Sequence, residues 1–407
     1  MTAATPISPL AGAAAAGTEA FPEIHWIEDG QPRVARWRAE SGVPAPKRVQ
    51  IADDRIDADS AYRLACEGVG LLWRGDFQNA RQLLQALARR IDRPAPVKRA
   101  RLKKNAAAAA ANAATPIPGQ AFHLHRQAQS QRARILGMLL LPHDSDHGVP
   151  LRRAPDVRQA CADAYGAAAE PYVASMRELL GLIGAYEWRK NGVEVAALDA
   201  RIHPHYGVFA PVRAEYVDLV AAAPLPADKT LAFDIGTGTG VLAALLARRG
   251  VARIVATDQD PRALACARDN LQRLDLPQVE VVQADLFPPG RAALVVCNPP
   301  WLPARPSSPI EHAVYDPDSR MLRGFLQGLP AHLTPRGEGW LILSDLAEHL
   351  ALRSRETLLA MFAEAGLRVI ERHDIRPRHP RAADAEDVLH QARAAEVTSL
   401  WRLAALQ

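Results

Sequence analysis

The tetrapeptide Asn298-Pro299-Pro300-Trp301 brings together groups suited to holding an amino group. Two prolines after an Asn stiffen the turn and fix where its groups point. Asn298 offers a side-chain carbonyl and Pro299 a backbone carbonyl. Two acceptors on one rigid turn can take both hydrogens of an –NH2 group. Trp301 adds a flat face on which an amide or a base can stack. A turn built only for structure, with a buried Trp, would also explain the tetrapeptide, so its neighbours decide.

A second cluster begins at Asp234-Ile-Gly-Thr-Gly-Thr-Gly240, where an apolar strand runs into a Gly-rich turn and then a helix. Glycine permits positive φ and close approach of backbone to a ligand. Such a turn lies at the carboxyl edge of a parallel sheet, where ligands bind. Asp234, Gly236, Thr237, Gly238 and Gly240 are the candidate binding residues here. The spacing is G-x-G-x-G, and Val241 stands where the dinucleotide fingerprint needs its last glycine. A nicotinamide site is therefore disfavoured. Asp258 ends the next strand, where an acid can accept both hydroxyls of a ribose. Asp260, before Pro261, reads instead as a helix N-cap. Gln283-Ala-Asp285-Leu286-Phe ends a third strand. Asp285 can accept from an exocyclic adenine amine, with Leu286 beside it.

These residues need a framework of alternating strands and helices. Apolar runs predict strands at 231–234, 254–257, 279–283, 293–297, 340–343, 367–372 and 397–403. Helices are predicted at 241–249, 261–274 and 356–365. Repeated β-α units imply a parallel sheet with helices on both faces.

The ordered set of Gly-rich turn, acid, acid and Asn-Pro-Pro-aromatic resembles the class I S-adenosylmethionine-dependent methyltransferases. A narrower resemblance is to the HemK-type protein-glutamine N-methyltransferases. Pro211, Arg213 and Glu215 are similar to that family's Pro-Arg-x-x-Glu segment, although Val212 separates the Pro-Arg pair and Trp301 replaces the usual Tyr. The resemblance covers 193–407 and implies a Rossmann-like seven-stranded methyltransferase sheet. It also implies S-adenosyl-L-methionine as cofactor. Asp234 and the glycines would cradle its methionine part, Asp258 its ribose and Asp285 its adenine. Asn298, Pro299 and Trp301 would hold the acceptor nitrogen, on a turn that Pro300 stiffens.

The first half reads differently. Residues 1–20 are an Ala-rich, expectedly disordered tail without the basic start of a signal peptide. Residues 21–92 form a helical segment; after the N-cap Asp76, Phe77, Ala80, Leu84, Leu87 and Ile91 make one apolar stripe. Residues 93–120 read as a basic, Ala-rich linker, and 121–192 as a second helical segment. There Pro171 opens a helix whose face carries Val173, Met176, Leu180 and Ile183. The expected fold is thus α/β, with a mainly α-helical N-terminal region.

The chain has 407 residues, 48% apolar and 23% charged, which excludes a disordered or fibrous protein. It has no apolar run of transmembrane length, and a cytoplasmic location is expected. Four scattered cysteines and an isolated His203-Pro-His205 give no disulfide framework and no metal site. Between Arg93 and His143 stand nine Arg or Lys and no acid. With Arg126, Arg132 and Arg134, that stretch suits nucleic-acid phosphates. It tips the expected methyl acceptor toward a planar amino nitrogen of a base in RNA or DNA. The alternative is a protein glutamine side-chain amide. A non-catalytic nucleic-acid-binding module is the second alternative.

Overall fold

The computed structural model describes residues 22–92, 118–167, 170–212, 214–306, 309–378 and 387–406. The 1–20 tail, nearly all of the basic linker and Arg213 lie outside the described residues.

The C-terminal half is built on seven strands. They are β9 (Leu231–Ile235), β10 (Arg253–Asp258), β11 (Val279–Gln283), β12 (Ala292–Cys297), β13 (Leu333–Ser344), β14 (Leu367–Ile375) and β15 (Thr398–Ala405). Their order is β11-β10-β9-β12-β13-β15-β14. β15 runs antiparallel to both β13 and β14, and the other pairings are parallel. Residues alternate between the two faces. Ala232, Ile254, Leu294, Val296, Trp340 and Ile342 pack under the helices Glu215–Ala222 and Val241–Arg248. Phe233, Val255, Val295, Cys297, Leu341 and Leu343 pack on the other face, under the helices Arg320–His332 and Arg355–Glu364. β12 is buried along its whole length, as a central strand covered on both faces must be.

The register makes the strand ends flush. Thr257 pairs with Ile235, Cys297 pairs with Ile235 from the other side, and Asp258 pairs with Gln283. The chain order reverses between β9 and β12, which opens a crevice at their carboxyl ends. Gly236, Asp258 and Asn298 each leave the sheet at that level.

The N-terminal half holds the expected helices Phe77–Asp92 and Met176–Asn191. Asp76 caps the first, accepting from the Gln78 N–H at 2.8 Å. The expectation of a mainly helical region is corrected, because these helices lie on a six-stranded sheet. Its strands are β1 (Glu23–Glu28), β2 (Gln31–Trp37), β3 (Arg48–Ala52), β4 (Val69–Trp73), β5 (Leu139–His143) and β6 (Tyr172–Ser175), in the order β1-β2-β6-β5-β4-β3. β4 and β6 are buried at every position. Such short apolar runs do not alternate, so period alone cannot separate them from buried helix. Val173 therefore belongs to β6, and the helix begins at Met176 behind the N-cap Ser175, whose Oγ accepts from Glu178 N. A hairpin of β7 (Val193–Val195) and β8 (Ala200–Ile202) precedes the C-terminal sheet.

Gly339 in β13 lies against the Leu329 side chain so closely that a methyl group there would collide with it. Gly339→Ala is expected to destabilise the fold by about 1–3 kcal/mol through overpacking. In a Leu329→Ala background the same change should cost less. Urea unfolding of the two single variants and the double variant checks this; equal cost in both backgrounds overturns it.

Candidate active site

Each candidate residue leaves the flush edge on a tight connection. Gly236, Gly238 and Gly240 all have left-handed φ, of 71°, 56° and 82°. At Gly240 the need is doubled, because a Cβ would come within 3.3 Å of the Ala267 Cα. At Gly238 the surroundings are open, with no heavy atom within 4 Å of where a Cβ would stand. The backbone there is bare and faces free space, as a ligand cradle requires.

Asp234 is fully buried at the end of β9. Its Oδ2 accepts from the Thr237 hydroxyl at 2.6 Å and from the Ala243 N–H at 3.1 Å. Its Oδ1 is buried with no hydrogen-bond partner among the described residues. Burial pushes its carboxyl up to about 6, against the partial relief of those two donors. Asp258 adds a like charge nearby. Asp258 itself is half-buried and is also raised, mainly by burial. Its Oδ2 accepts from Gly238 N and its Oδ1 from Asp260 N, each at 3.0 Å. The carboxylate thus fixes the Gly-rich turn while keeping lone pairs for hydroxyl donors. Asp260 does cap the helix Pro261–Arg273.

Asp285 is exposed and takes a hydrogen bond from the Gln259 amide. Leu286 beside it has φ of 70°, unusual for a branched side chain. Its carbonyl accepts from the Thr257 hydroxyl at 2.6 Å.

At the fourth strand, Asn298 and Trp301 are half-buried and Pro299 is buried. The Trp301 indole N–H donates to Asn298 Oδ1 at 2.9 Å. Only an acceptor can face an indole N–H, so this bond sets which way the Asn298 amide points. A carbonyl oxygen has two lone pairs, and one is left for another donor. Trp301 packs against the clusters on both faces of the sheet, so the turn is anchored at its aromatic end.

Three residues that the motifs do not name hold this arrangement together. The Thr257 carbonyl accepts from Gly236 N at 2.9 Å and Thr237 N at 2.8 Å, while its hydroxyl reaches Leu286. One residue therefore joins the Gly-rich turn to the Asp285 loop. Asn270 is buried on the helix Pro261–Arg273 and donates to the carbonyls of Thr239 and His203. A polar residue on an apolar helix face was the available signal. Met321 places its methyl group 2.6 Å from where a Gly236 Cβ would lie, and nothing in the sequence marks it.

Other singled-out residues have structural partners. His203 bonds the Arg189 carbonyl and His205 the Asp269 carboxylate. Glu215 accepts from Arg378 N, and Pro211 is buried. In the basic stretch, Arg132 makes a two-bond pair with Asp92, and Arg126 pairs with Glu311. Among the described residues no helix is long and apolar enough to cross a membrane.

Strand order, Gly-rich turn and Asn-Pro-Pro-aromatic turn are similar to those of class I S-adenosylmethionine-dependent methyltransferases. Residues 199–352 match the family model described as methyltransferase small domain. The chain is similar to the release factor glutamine methyltransferase of Pseudomonas aeruginosa, 34% identical over 178 residues, or 38% of this chain and 63% of that protein. The release factor glutamine methyltransferase of Cereibacter sphaeroides is 36% identical over 26% of this chain and 43% of its own length. A ribosomal protein L11 methyltransferase of Pelotomaculum thermopropionicum is 48% identical over 69 residues, 16% of this chain and 22% of that protein. The chain thus spans less than two thirds of the length of each of these relatives.

Asp234 gives the fold a pH signature. Below about pH 4 it is neutral in both folded and unfolded chains. Between about pH 4 and pH 6 the folded chain keeps a proton that the unfolded chain has released, so stability falls as pH rises. The whole loss from this residue is about 3 kcal/mol, complete above its folded value. Asp234→Asn should remove that part of the slope. Unfolding free energies of both proteins at several pH values between 4 and 7.5 read it; an unchanged slope in the variant overturns the assignment.

Proposed function

We propose that this chain is an S-adenosyl-L-methionine-dependent N-methyltransferase whose acceptor is the side-chain amide of a protein glutamine. The observation that carries it is the Asn298 carbonyl, oriented by the Trp301 indole at 2.9 Å, leaving the sheet beside Gly236. The names of the relatives support a protein acceptor over a nucleic-acid base. So do the partners of Arg126 and Arg132, which occupy two cations of the stretch that favours a base.

The bare backbone at Gly238 and the half-buried carboxylate of Asp258 fit the cofactor that the class implies. Asp234, Gly236, Thr237, Gly238 and Gly240 would hold its methionine end, Asp258 its ribose, and Asp285 and Leu286 its adenine. When bound, that cofactor supplies an electrophilic methyl carbon on a sulfonium. The chain's own task is to present a weak nucleophile. The Asn298 and Pro299 carbonyls accept the two N–H groups of the planar amine and fix its orientation, which provides the proximity term. Positive charge grows on that nitrogen as it takes the methyl group from sulfur, and it is discharged when one N–H proton is then lost to water. Two fixed carbonyl dipoles stabilise it most in the transition state, because they need not reorganise. The Trp301 N–H fixes which end of the Asn298 amide is the oxygen and leaves that oxygen one lone pair for the acceptor. With Pro at 299 and 300, the turn presents acceptors there without competing backbone donors.

Tritiated methyl transfer into cell extract tests the acceptor, with RNase-treated and protease-treated aliquots. Label should survive RNase and vanish with protease; the reverse result restores the base as acceptor. Asn298→Ala should leave cofactor affinity within about twofold and reduce turnover by about 10²-fold or more. Trp301→Phe, which keeps an aromatic but loses the N–H, should lower turnover by about tenfold with binding intact. Equal loss of binding and turnover in Asn298→Ala would make Asn298 a structural residue and sink this role.

A further inference from the structure

Both walls of the crevice are held from outside the methyltransferase domain. On the acceptor side, the segment after Trp301 folds back on itself. Leu302 N donates to the Val314 carbonyl at 3.1 Å, and Asp316 N donates to the Leu302 carbonyl at 2.8 Å. The helix Pro118–Leu136 of the N-terminal half lies against this segment. Its Arg126 donates to Glu311 Oε2 at 3.1 Å and to the Arg305 carbonyl at 2.7 Å. The same guanidinium sits 4.0 Å over the Tyr315 ring. Phe122, one turn earlier, is 2% exposed and packs with Leu302, Leu346 and Leu350. From Tyr315 the connection runs inward. Asp316 accepts from Met321 N and Leu322 N, and Met321 is the residue against Gly236.

On the cofactor side the contact is Glu40. Its carboxylate takes Arg262 Nη2 at 2.6 Å, and its own N–H donates to Glu178 Oε1 at 2.9 Å. Arg262 N in turn donates to Asp260 Oδ1, and Asp260 N to Asp258 Oδ1. Three hydrogen bonds in series, through Arg262 and Asp260, therefore link Glu40 of the N-terminal half to Asp258.

We infer that the N-terminal half is a positioning element of the transferase site. It fixes the acceptor segment through Arg126 and the Asp258 loop through Glu40. Neither residue touches the reacting atoms; each acts through the loop it holds. Arg126 suits this task because its planar fork makes two directed bonds while its face stacks on Tyr315. The functional meaning rests on the proposed transferase reading, but the mechanical claim stands apart from it. It also gives Arg126 partners within the chain in place of a phosphate.

Hydrogen exchange of the full-length chain, read by mass spectrometry, tests both contacts together with cofactor titration and thermal melting. Arg126→Gln should speed exchange of the 302 and 314–316 amides by about tenfold and leave 258–264 unchanged. Arg126→Lys, which keeps the charge but not the fork, should recover only part of that protection. Glu40→Gln should do the converse, loosening 258–264 by about tenfold and weakening S-adenosyl-L-methionine binding several-fold. Exchange within about twofold of wild type at both loops overturns the proposal. So does loosening spread over the whole chain with a lowered melting temperature, which marks a general stability effect. Failure of the wild-type chain to bind the cofactor would count against the transferase reading and leave the exchange result standing.

Discussion

The site depends on the register of three parallel strands. β10, β9 and β12 end at one level, with Thr257 and Cys297 on either side of Ile235. A slip of one residue would turn each strand's apolar set to the wrong face, and both faces here are buried. Core packing therefore fixes where the carboxyl ends stop. The Gly-rich turn, Asp258 and the Asn298 turn inherit their spacing from that constraint. Thr257 adds the local lock, because its carbonyl and hydroxyl serve two loops at once.

A cost accompanies this arrangement. Asp234 is wholly buried, has one oxygen without a partner and lies near Asp258. A buried carboxylate in such surroundings opposes folding unless enough donors meet it. Thr237 and Ala243 meet one oxygen only. Perturbed acids of this kind concentrate where a ligand is to be held. The paired rise of Asp234 and Asp258 is consistent with a crevice organised for a donor-rich partner rather than for stability alone.

The N-terminal half is more than an appendage to the domain. Its own sheet and helices form a separate core around Trp73, Phe77 and Leu139. From that rigid base Glu40 and Arg126 reach opposite walls of the crevice. Short ion pairs at the surface contribute little to stability; here Arg126 stands on a helix and Glu40 in the turn after β2.

Much of the domain is legible in the amino-acid order. Strands β9 to β12 and the intervening helices follow from apolar runs, glycines and caps, because those signals are local. The candidate residues Asp234, Gly236, Asp258 and Asn298 stand out for the same reason: each is a special type at a strand end. The sheet of the N-terminal half is not legible, since β4, β5 and β6 are short, nearly continuous apolar runs with no period to read. Nor are Thr257, Met321 or Arg126, whose roles come from partners 29, 85 and 185 residues away in sequence. The bond from Trp301 to Asn298 spans only three residues, yet its direction needed the folded turn. Sequence determined which chemical groups are present and which local elements carry them. Tertiary structure decided which groups meet, because long-range contacts form only when packing brings distant segments together.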